Sequence, residues 1–267
     1  MRTESKAFLL GIIGVPLTLM AIVVSVYGEN TGRVVAQVAA RVPMLLTGSA
    51  KFGAYDGGFL ANIIISLWAM LLAAILGAGL GIGLIAQRRS LKVPAEIVMN
   101  VLRNSPWLVV LYAMLYLLPF EMTIFGHTVE LSPMVKSVFG LALPVTANIA
   151  EVFRGAVQTV PTGQWESARS LGYRPLQILR HIVVPQALPM MTPNLMTVYA
   201  MLFIGTSLVV VTGTSDVLSV ARTVIGSDGT ELATAVYLFV LLLFFLFSFP
   251  IAIASRALER RVKAPSS

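Results

Sequence analysis

Six long stretches of the chain contain no charged residue, and the segments between them carry nearly all the charge. Placing Arg, Lys or Asp at the middle of a bilayer costs roughly 2.5 to 3.5 kcal/mol, so charge-free runs of this length favour insertion into a membrane. A helix needs about 20 residues to cross the hydrocarbon core. The pattern predicts transmembrane helices over the following ranges: 7–27, 59–86, 104–120, 134–156, 192–213 and 232–255.

The composition is that of a membrane protein rather than a soluble one. Hydrophobic residues make up 57% of the 267 residues and charged residues only 12%, whereas about a quarter of the residues in soluble domains are charged. The predicted fold class is therefore all-α, a polytopic transmembrane helical protein with about six spans. The chain has no cysteine, which excludes disulfides and thiolate chemistry.

The basic residues predict how the helices are oriented. Of the 19 Lys and Arg residues, 14 lie on one side of the predicted spans. The remaining five are Arg33, Arg41, Lys51, Lys136 and Arg222. Because cytoplasmic loops carry the excess of basic residues, both termini are predicted to be cytoplasmic. The net charge of +7 then follows from topology, and no nucleic-acid partner is expected.

The N-terminal part is predicted to contain an uncleaved helix and an outer segment. The apolar stretch from Ala7 to Tyr27 is longer than the core of a signal peptide, and no Ala-x-Ala site follows it. In residues 28–58 valines recur at helical spacing before a glycine-rich hinge, which predicts an interfacial helix. The chain thus divides into an N-terminal helix and periplasmic segment over 1–58, a transmembrane core over 59–256 and a cytoplasmic tail over 257–267.

The spans lack the groups that several transport chemistries need. No Asp, Glu, Lys or Arg lies at the middle of a charge-free run, where ion-coupled transporters commonly place an ionisable residue. No glycine-rich phosphate loop ending in Lys-Ser or Lys-Thr is present, so the chain is not expected to bind ATP by that motif. Four glycines in residues 77–83 allow close approach of another helix, either for packing or as a sliding surface.

The segment between the fourth and fifth spans has the pattern of two short helices joined at a tight turn. Thr162 is suited to an N-cap and Gly172 to a left-handed stop, which predicts a first helix of at most ten residues, about 15 Å long. Pro175 suits the start of a second helix, which Pro185 is expected to end. The predicted product is a compact cytoplasmic knob, although a connector lying on the lipid surface has the same spacing.

This segment resembles the loop shared by the membrane subunits of ABC importers. The family pattern begins with Glu-Ala-Ala, which three residues separate from a Gly. Nine further residues lead to an Ile, and after one more residue the pattern ends in Leu-Pro. The counterparts here are Glu166-Ser167-Ala168, Gly172, Ile182 and Val184-Pro185. Ser167 and Val184 are the two departures, both mild in size. In that family the loop docks on an ATPase subunit and transmits nucleotide-driven closure. The resemblance implies ATPase-coupling roles for Trp165, Glu166, Ser167, Ala168, Leu171, Gly172, Ile182 and Pro185.

Shorter motifs resemble the polar amino acid branch of the same family, and the resemblance covers about residues 59–256. They stand at 102–106, 150–155, 160–164, 170–172, 185–187 and 206–208. The resemblance implies the type I ABC importer permease fold and transport of a polar amino acid from periplasm to cytoplasm. Residues 225–230 resemble permeases for acidic amino acids, which favours glutamate or aspartate. The chain departs from the family by an additional first helix and by Ile204-Gly205, which replaces a more polar pair.

The family also implies the partners of the chain. They are cytoplasmic ATP-binding subunits, a second permease of the same or a paralogous sequence, and a periplasmic solute-binding protein at the bacterial inner membrane. In that family ATP is bound and hydrolysed by the partner ATPase subunit. The chain itself is therefore expected not to be an enzyme and to need no cofactor or metal.

Polar residues in or near the spans either line a solute path or satisfy packing. They are Asn148, Glu151, Thr206 and Ser207. Two other classes of function stay open from the sequence. One is a stand-alone secondary transporter or channel, and the other is a membrane scaffold that does not transport.

Overall fold

The computed structural model describes residues 2–51, 53–124 and 127–263, so the last four residues of the predicted tail lie outside it. Its helices are α1 (Arg2–Tyr27), α2 (Thr31–Thr47), α3 (Gly58–Leu84), α4 (Arg89–Asn104), α5 (Trp107–Leu117), α6 (Pro133–Gln158), α7 (Thr162–Ser170), α8 (Pro175–Ile178), α9 (Val184–Gly205), α10 (Val217–Asp228) and α11 (Ala233–Lys263). Strands β1 (Glu121–Ile124) and β2 (His127–Glu130) pair antiparallel between α5 and α6. Short 3-10 turns follow α1, α9 and α10, and a π turn joins α8 to α9.

The described residues contain five stretches that are long and apolar enough to cross a membrane, and a sixth if α4 and α5 form one bent span. The predicted all-α fold with about six spans is therefore confirmed. The predicted range 104–120 was wrong in detail, because α4 and α5 meet at 104° and α5 has only 11 residues. The break follows from Pro106, which restricts the residue before it, and Ser105 is accordingly extended with a ψ of 130°.

Helix α6 lies at the centre of the bundle and packs against α3, α4, α5 and α9. Its most extensive contact is with α3, where Gly77 and Gly81 face Ile149 and Phe153. A Cβ atom on Gly77 would lie 2.8 Å from the Cβ of Ile149, so no larger residue fits without moving the helices apart. The glycines at 77 and 81 thus serve helix packing, which is the first of the two roles expected for them.

Helix α2 supplies the helix predicted within residues 28–58. Val34, Val38 and Leu45 are buried in one apolar cluster with residues of α10 and α11. Arg41 donates to both carboxylate oxygens of Asp228, with 2.6 Å between Nε and Oδ2. This hydrogen-bonded contact holds the pKa of Asp228 below its ordinary value. The outer segment is therefore fixed to the end of α10 by both apolar burial and an ion pair.

Lys136, in the first turn of α6, is fully buried and pairs with no carboxylate in the described part of the chain. Its Nζ donates to the carbonyl oxygens of Leu115 at 3.1 Å and Leu118 at 2.9 Å, and it lies 3.5 Å from the ring centre of Phe120. The last carbonyl groups of a helix have no partner within the helix. The ammonium group therefore caps the end of α5.

Lys136→Met is expected to destabilise the protein because it removes the ammonium group and leaves the carbonyl groups of Leu115 and Leu118 without their donor. We expect the free energy of unfolding to fall by about 2–4 kcal/mol, measured by thermal unfolding of the purified protein in detergent. Lys51→Met, at an exposed position, is the matched control and should change it by less than about 0.5 kcal/mol. Equal melting temperatures for the two variants would contradict the capping role.

Candidate functional site

The turn after α7 is built by hydrogen bonds that require a left-handed residue. The N–H of Tyr173 donates to the carbonyl of Ala168 at 3.1 Å, and the N–H of Gly172 donates to that of Arg169 at 2.9 Å. This pair of bonds is the Schellman motif, which places the residue after the C-cap in the left-handed region. Gly172 has a φ of +83°, so the predicted left-handed stop lies at that residue.

The start of α7 differs from the expectation. Thr162 is the first helical residue, and the cap is Pro161, whose side chain makes no capping hydrogen bond. The assignment of Thr162 as the N-cap was therefore wrong. The cause is Pro161, whose ring fixes φ at −55° and whose extended ψ of 138° makes it the last residue before the helix.

The two short helices form one body with the ends of two spans. Ala168 of α7 is buried in an apolar cluster with Phe153 and Val157 of α6, and with Ile178 and Val183 from the second short helix. Trp165 and Ile182 are half-buried at the edge of the same cluster. The predicted coupling loop covers residues 158–186, and we call this segment the knob. Because its core is continuous with α6 and α9, the knob is held rigidly against both spans.

The outward face of the knob carries the other predicted coupling residues. Glu166, Ser167 and Pro185 are exposed. Leu171 is 76% exposed, whereas Ala168 is only 2% exposed. Ala168 therefore holds the knob together, and the outward apolar surface consists of the exposed residues Leu171, Tyr173 and Leu176. An exposed leucine on a short, rigid turn offers an apolar contact to another protein.

Pro185 does not end the second short helix, contrary to the expectation from sequence. Residues 175–205 are helical throughout, with a π turn at Leu179–Val183. The N–H of Val184 donates to the carbonyl of Leu179, five residues earlier. Pro185 then stands in the first turn of α9, where its missing N–H is tolerated. The fifth span consequently starts well before the predicted residue 192.

A pocket of about 420 Å³ opens between the α4–α5 break and the helices α6 and α9. Its walls are Arg103, Trp107, Asn148, Met201, Ile204 and Gly205. The indole of Trp107 lies directly against Gly205, where a Cβ atom would come within 2.7 Å of ring atom Cε3. The Ile204-Gly205 pair, which departs from the family pattern, therefore shapes this wall by admitting the indole.

The four polar residues predicted for a solute path do not share one surface. Asn148 faces the pocket, and its side-chain amide donates to the Pro144 carbonyl at 3.3 Å. Thr206 is fully buried and accepts a hydrogen bond from the amide of Asn62 at 3.1 Å, while Ser207 is half-buried. In this structure Thr206 thus takes part in packing rather than lining an open surface.

Glu151 forms an ion pair on α6 with Arg154, three residues further along. The Arg154 Nη2 lies 2.6 Å from Oε1 and its Nε lies 2.9 Å from Oε2, so the contact is bidentate. Arg154 also donates to Gln158 at 3.0 Å. Both charges are therefore compensated near the end of α6, one turn from Asn148.

Arg103, Trp107 and Asn62 were not proposed as site residues from the sequence. Asn62 could have been noticed because it is an amide in an otherwise apolar run. Arg103 and Trp107 could have been noticed because they flank the Asn-Ser-Pro segment, at which a span breaks. Arg103 makes no ion pair with the described residues. Its exposed side chain lies in the wall of the pocket, close enough to Glu151 for the two charges to interact.

Three comparisons relate this geometry to known proteins. The family model described as "Binding-protein-dependent transport system inner membrane component" matches residues 70–264. The glutamate/glutamine/aspartate/asparagine transport system permease protein BztC of Rhodobacter capsulatus is 32% identical over 78% of this chain, which spans only 48% of that protein. The probable amino-acid ABC transporter permease protein y4tF of Sinorhizobium fredii is 29% identical over 79% of this chain and 87% of its own length.

A solved structure shows the same fold. A chain of an amino acid ABC transporter crystallised with histidines superimposes with a TM-score of 0.64 at 23% identity, over 76% of this chain and 92% of its own. The expected type I ABC importer permease fold is thereby confirmed. Helices α1 and α2 precede residue 70 and lie outside the range that the family model matches.

Gly172→Val is expected to disorder the knob because a β-branched residue resists the left-handed conformation by about 1–2 kcal/mol. No atom lies within 4 Å of the position a Cβ would take, so backbone conformation alone decides the effect. Gly172→Asn is the control, since asparagine tolerates this region. Hydrogen exchange of the α7 amides should quicken in the valine variant and stay near wild type in the asparagine variant. Equal exchange in both would show that the left-handed stop does not hold α7.

Proposed function

Because the chain belongs to the family of binding-protein-dependent transport system inner membrane components, we propose that it is the permease subunit of an ATP-driven importer of a polar amino acid. Transport runs from the periplasm to the cytoplasm. The energy comes from ATP hydrolysed on a separate subunit, and the knob receives the force. The chain itself is a membrane subunit and not an enzyme.

One observation carries this proposal: an exposed apolar turn stands on a knob whose core is continuous with two spans. Leu171 and Tyr173 point away from the bundle, while Ala168 and Ile178 are buried beneath them. A flexible loop would absorb the motion of a docked subunit. A short helix packed on α6 and α9 passes that motion to both spans, which is what coupling to ATP hydrolysis requires.

The proposed orientation places the knob and both termini in the cytoplasm. It rests on the distribution of basic residues, of which the larger group lies on the side of the knob. Cytoplasmic ATP-binding subunits then reach Leu171, and a periplasmic solute-binding protein delivers solute to the opposite face. Glu166, Ser167, Gly172 and Pro185 complete the proposed docking surface.

A second permease, either another copy of this chain or a paralogue, is proposed to cover the outer face of α4 and α5. Val101 and Val109 are exposed there, and Tyr116 is 79% exposed. The pocket beside Asn148 opens next to this face, so the partner would close one side of the solute path.

The proposed solute is a polar amino acid, and more narrowly glutamate or aspartate. Residues 225–230 support the acidic choice, and the name of the Rhodobacter relative includes glutamate and aspartate together with their amides. In the pocket, Arg103 can bind a carboxylate through two parallel hydrogen bonds, and Asn148 offers an amide beside it. Glu151 lies one turn from Asn148 and is already neutralised by Arg154, so it does not repel an anionic solute.

Crosslinking from the knob tests the proposal directly, and the absence of native cysteines makes single-cysteine variants specific. A photo-crosslinker on Leu171→Cys in native membranes is expected to capture an ATP-hydrolysing protein. Thr223→Cys, exposed on α10, is the control at the opposite end and should not capture it. Capture of lipid headgroups alone would end the importer proposal. Solute transport by the purified chain without any ATPase would instead establish the secondary transporter or channel.

Leu171→Ser is expected to weaken docking without unfolding the permease. Losing a buried leucine contact costs about 1.5–3 kcal/mol, a roughly 10- to 100-fold loss of affinity for the ATP-binding subunit. Leu171→Met keeps an apolar side chain and should retain most of the affinity. Affinity is measured on permease in nanodiscs, with the melting temperature as the folding control. An unchanged affinity in the serine variant would exclude Leu171 from the interface.

A further inference from the structure

Three buried hydroxyl groups form a closed ring where the start of α6 meets the segment after α9. The Oγ of Ser137 lies 2.7 Å from the Oγ1 of Thr212 and 3.0 Å from that of Thr214. The two threonine oxygens are 2.8 Å apart. Thr212 ends the 3-10 turn that follows α9, and none of the three residues is more than 6% exposed. We call these three residues the hydroxyl ring.

The hydroxyl ring makes more short oxygen contacts than it has hydrogen atoms to fill. Besides the contacts within the ring, the Ser137 Oγ lies 2.9 Å from the Pro133 carbonyl oxygen, and the Thr212 Oγ1 lies 2.7 Å from that of Val209. Each hydroxyl carries one hydrogen, so at most three of these five contacts are hydrogen bonds. In the other two, oxygen lone pairs face each other. A cation beside them would turn this repulsion into coordination.

A buried carboxylate on the same turn also lacks a partner. Asp216 is fully buried, and its N–H donates to the Thr214 carbonyl at 2.8 Å. Its Oδ1 accepts from the N–H of Ser219 and caps α10, whereas its Oδ2 has no hydrogen-bond partner among the described residues. No ion pair in that part of the chain includes this carboxylate. Because an uncompensated charge is costly to bury, a cation close to it would be stabilising.

We propose that Ser137 and residues 212–216 bind one Na⁺ ion. The hydroxyl ring and its two carbonyl partners offer only oxygen atoms, which are the ligands that hard cations prefer. In transporters, Na⁺ is coordinated where a membrane helix ends and its carbonyl groups are free. Val209 stands at such an end, one turn before the left-handed Gly213. One carboxylate balances one Na⁺, whereas a divalent ion would leave a buried charge uncompensated.

Water or K⁺ would suit the site less well than Na⁺. A water molecule could donate to the hydroxyl ring, but it would leave the charge of Asp216 without compensation. The three ring oxygens lie only 2.7–3.0 Å from one another. So compact a set of ligands favours the smaller of the two monovalent ions.

The ion has a route to the site from the side opposite the knob. A pocket of about 280 Å³ reaches Thr214 between the start of α3 and the start of α6, and Asp56 lies in its wall. A carboxylate at the entrance attracts cations. Once bound, Na⁺ would tie α6 to the segment between α9 and α10, so we assign it a structural role at this end of the bundle.

Sodium binding can be measured on the whole protein in nanodiscs. The melting temperature is compared in sodium, potassium and choline chloride at equal ionic strength. Saturating Na⁺ is expected to raise it by about 3–6 °C over choline, and K⁺ by less than about 1 °C. Equilibrium dialysis with radioactive sodium is expected to give about one bound ion per chain.

Three variants locate the ion. Thr214→Val removes one ligand oxygen but keeps a branched side chain, and it should lower the sodium affinity about tenfold or more. Asp216→Asn removes the charge but can still cap α10, and it should have a similar effect. Thr146→Val is the matched control. Thr146 is also a buried threonine, and its hydroxyl donates to the Ala142 carbonyl at 2.8 Å, so this variant should keep the full sodium response.

Equal melting temperatures in sodium and choline chloride, or no sodium bound in dialysis, would overturn the proposal, since a buried water responds to no particular cation. An equal response to K⁺ would overturn the assignment of Na⁺. Loss of the response in Thr146→Val as well as Thr214→Val would show that the ion does not bind at the hydroxyl ring. The wild-type measurements decide the matter if a variant fails to fold. None of these outcomes depends on the solute or the ATPase.

Discussion

Inside a bilayer, each backbone N–H and carbonyl group must find its partner within the protein, and this constraint decides where the chain can bend. Long helices such as α3 and α6 satisfy it by themselves. The end of α5 does not, and there the buried ammonium group of Lys136 supplies donors to two carbonyl groups. Between α8 and α9 a π turn shifts the hydrogen bonds so that Pro185 is accommodated. The end of α5 and the turn before α9 therefore each depend on a substitute hydrogen-bonding arrangement.

The features that could be predicted from the sequence are those that depend on single residues or on the local backbone. Charge-free runs revealed the number and kind of spans, because the cost of a charge in hydrocarbon acts on each residue separately. Gly172 was predictable for a similar reason, since its conformation depends on the local backbone alone. The continuous helix through Pro185 was not predictable, because the compensating turn is formed by residues 179–183 whose own pattern is simply apolar.

The pocket beside Asn148 could be predicted only in part. The polarity of Asn148 was visible, but its neighbours Arg103 and Trp107 come from beyond the break at Pro106, whose angle no local pattern encodes. The fit of the Trp107 indole against Gly205 is likewise a contact between residues far apart in sequence. For Thr206 the sequence left packing and a solute path both open, and the hydrogen bond from Asn62 assigns its hydroxyl to packing in this structure.

The two candidate sites share the helices α6 and α9. The knob packs on Phe153 at one end of this pair, and Asn148 and Gly205 form two walls of the pocket further along it. The remaining wall, Arg103 and Trp107, belongs to α4 and α5, which the break at Pro106 separates from each other. On the proposed docking at Leu171, force enters the α6–α9 pair as one body and displaces it against this broken span. The pocket lies on the boundary between the two bodies, so the displacement would change its shape without any residue of the pocket contacting the ATPase.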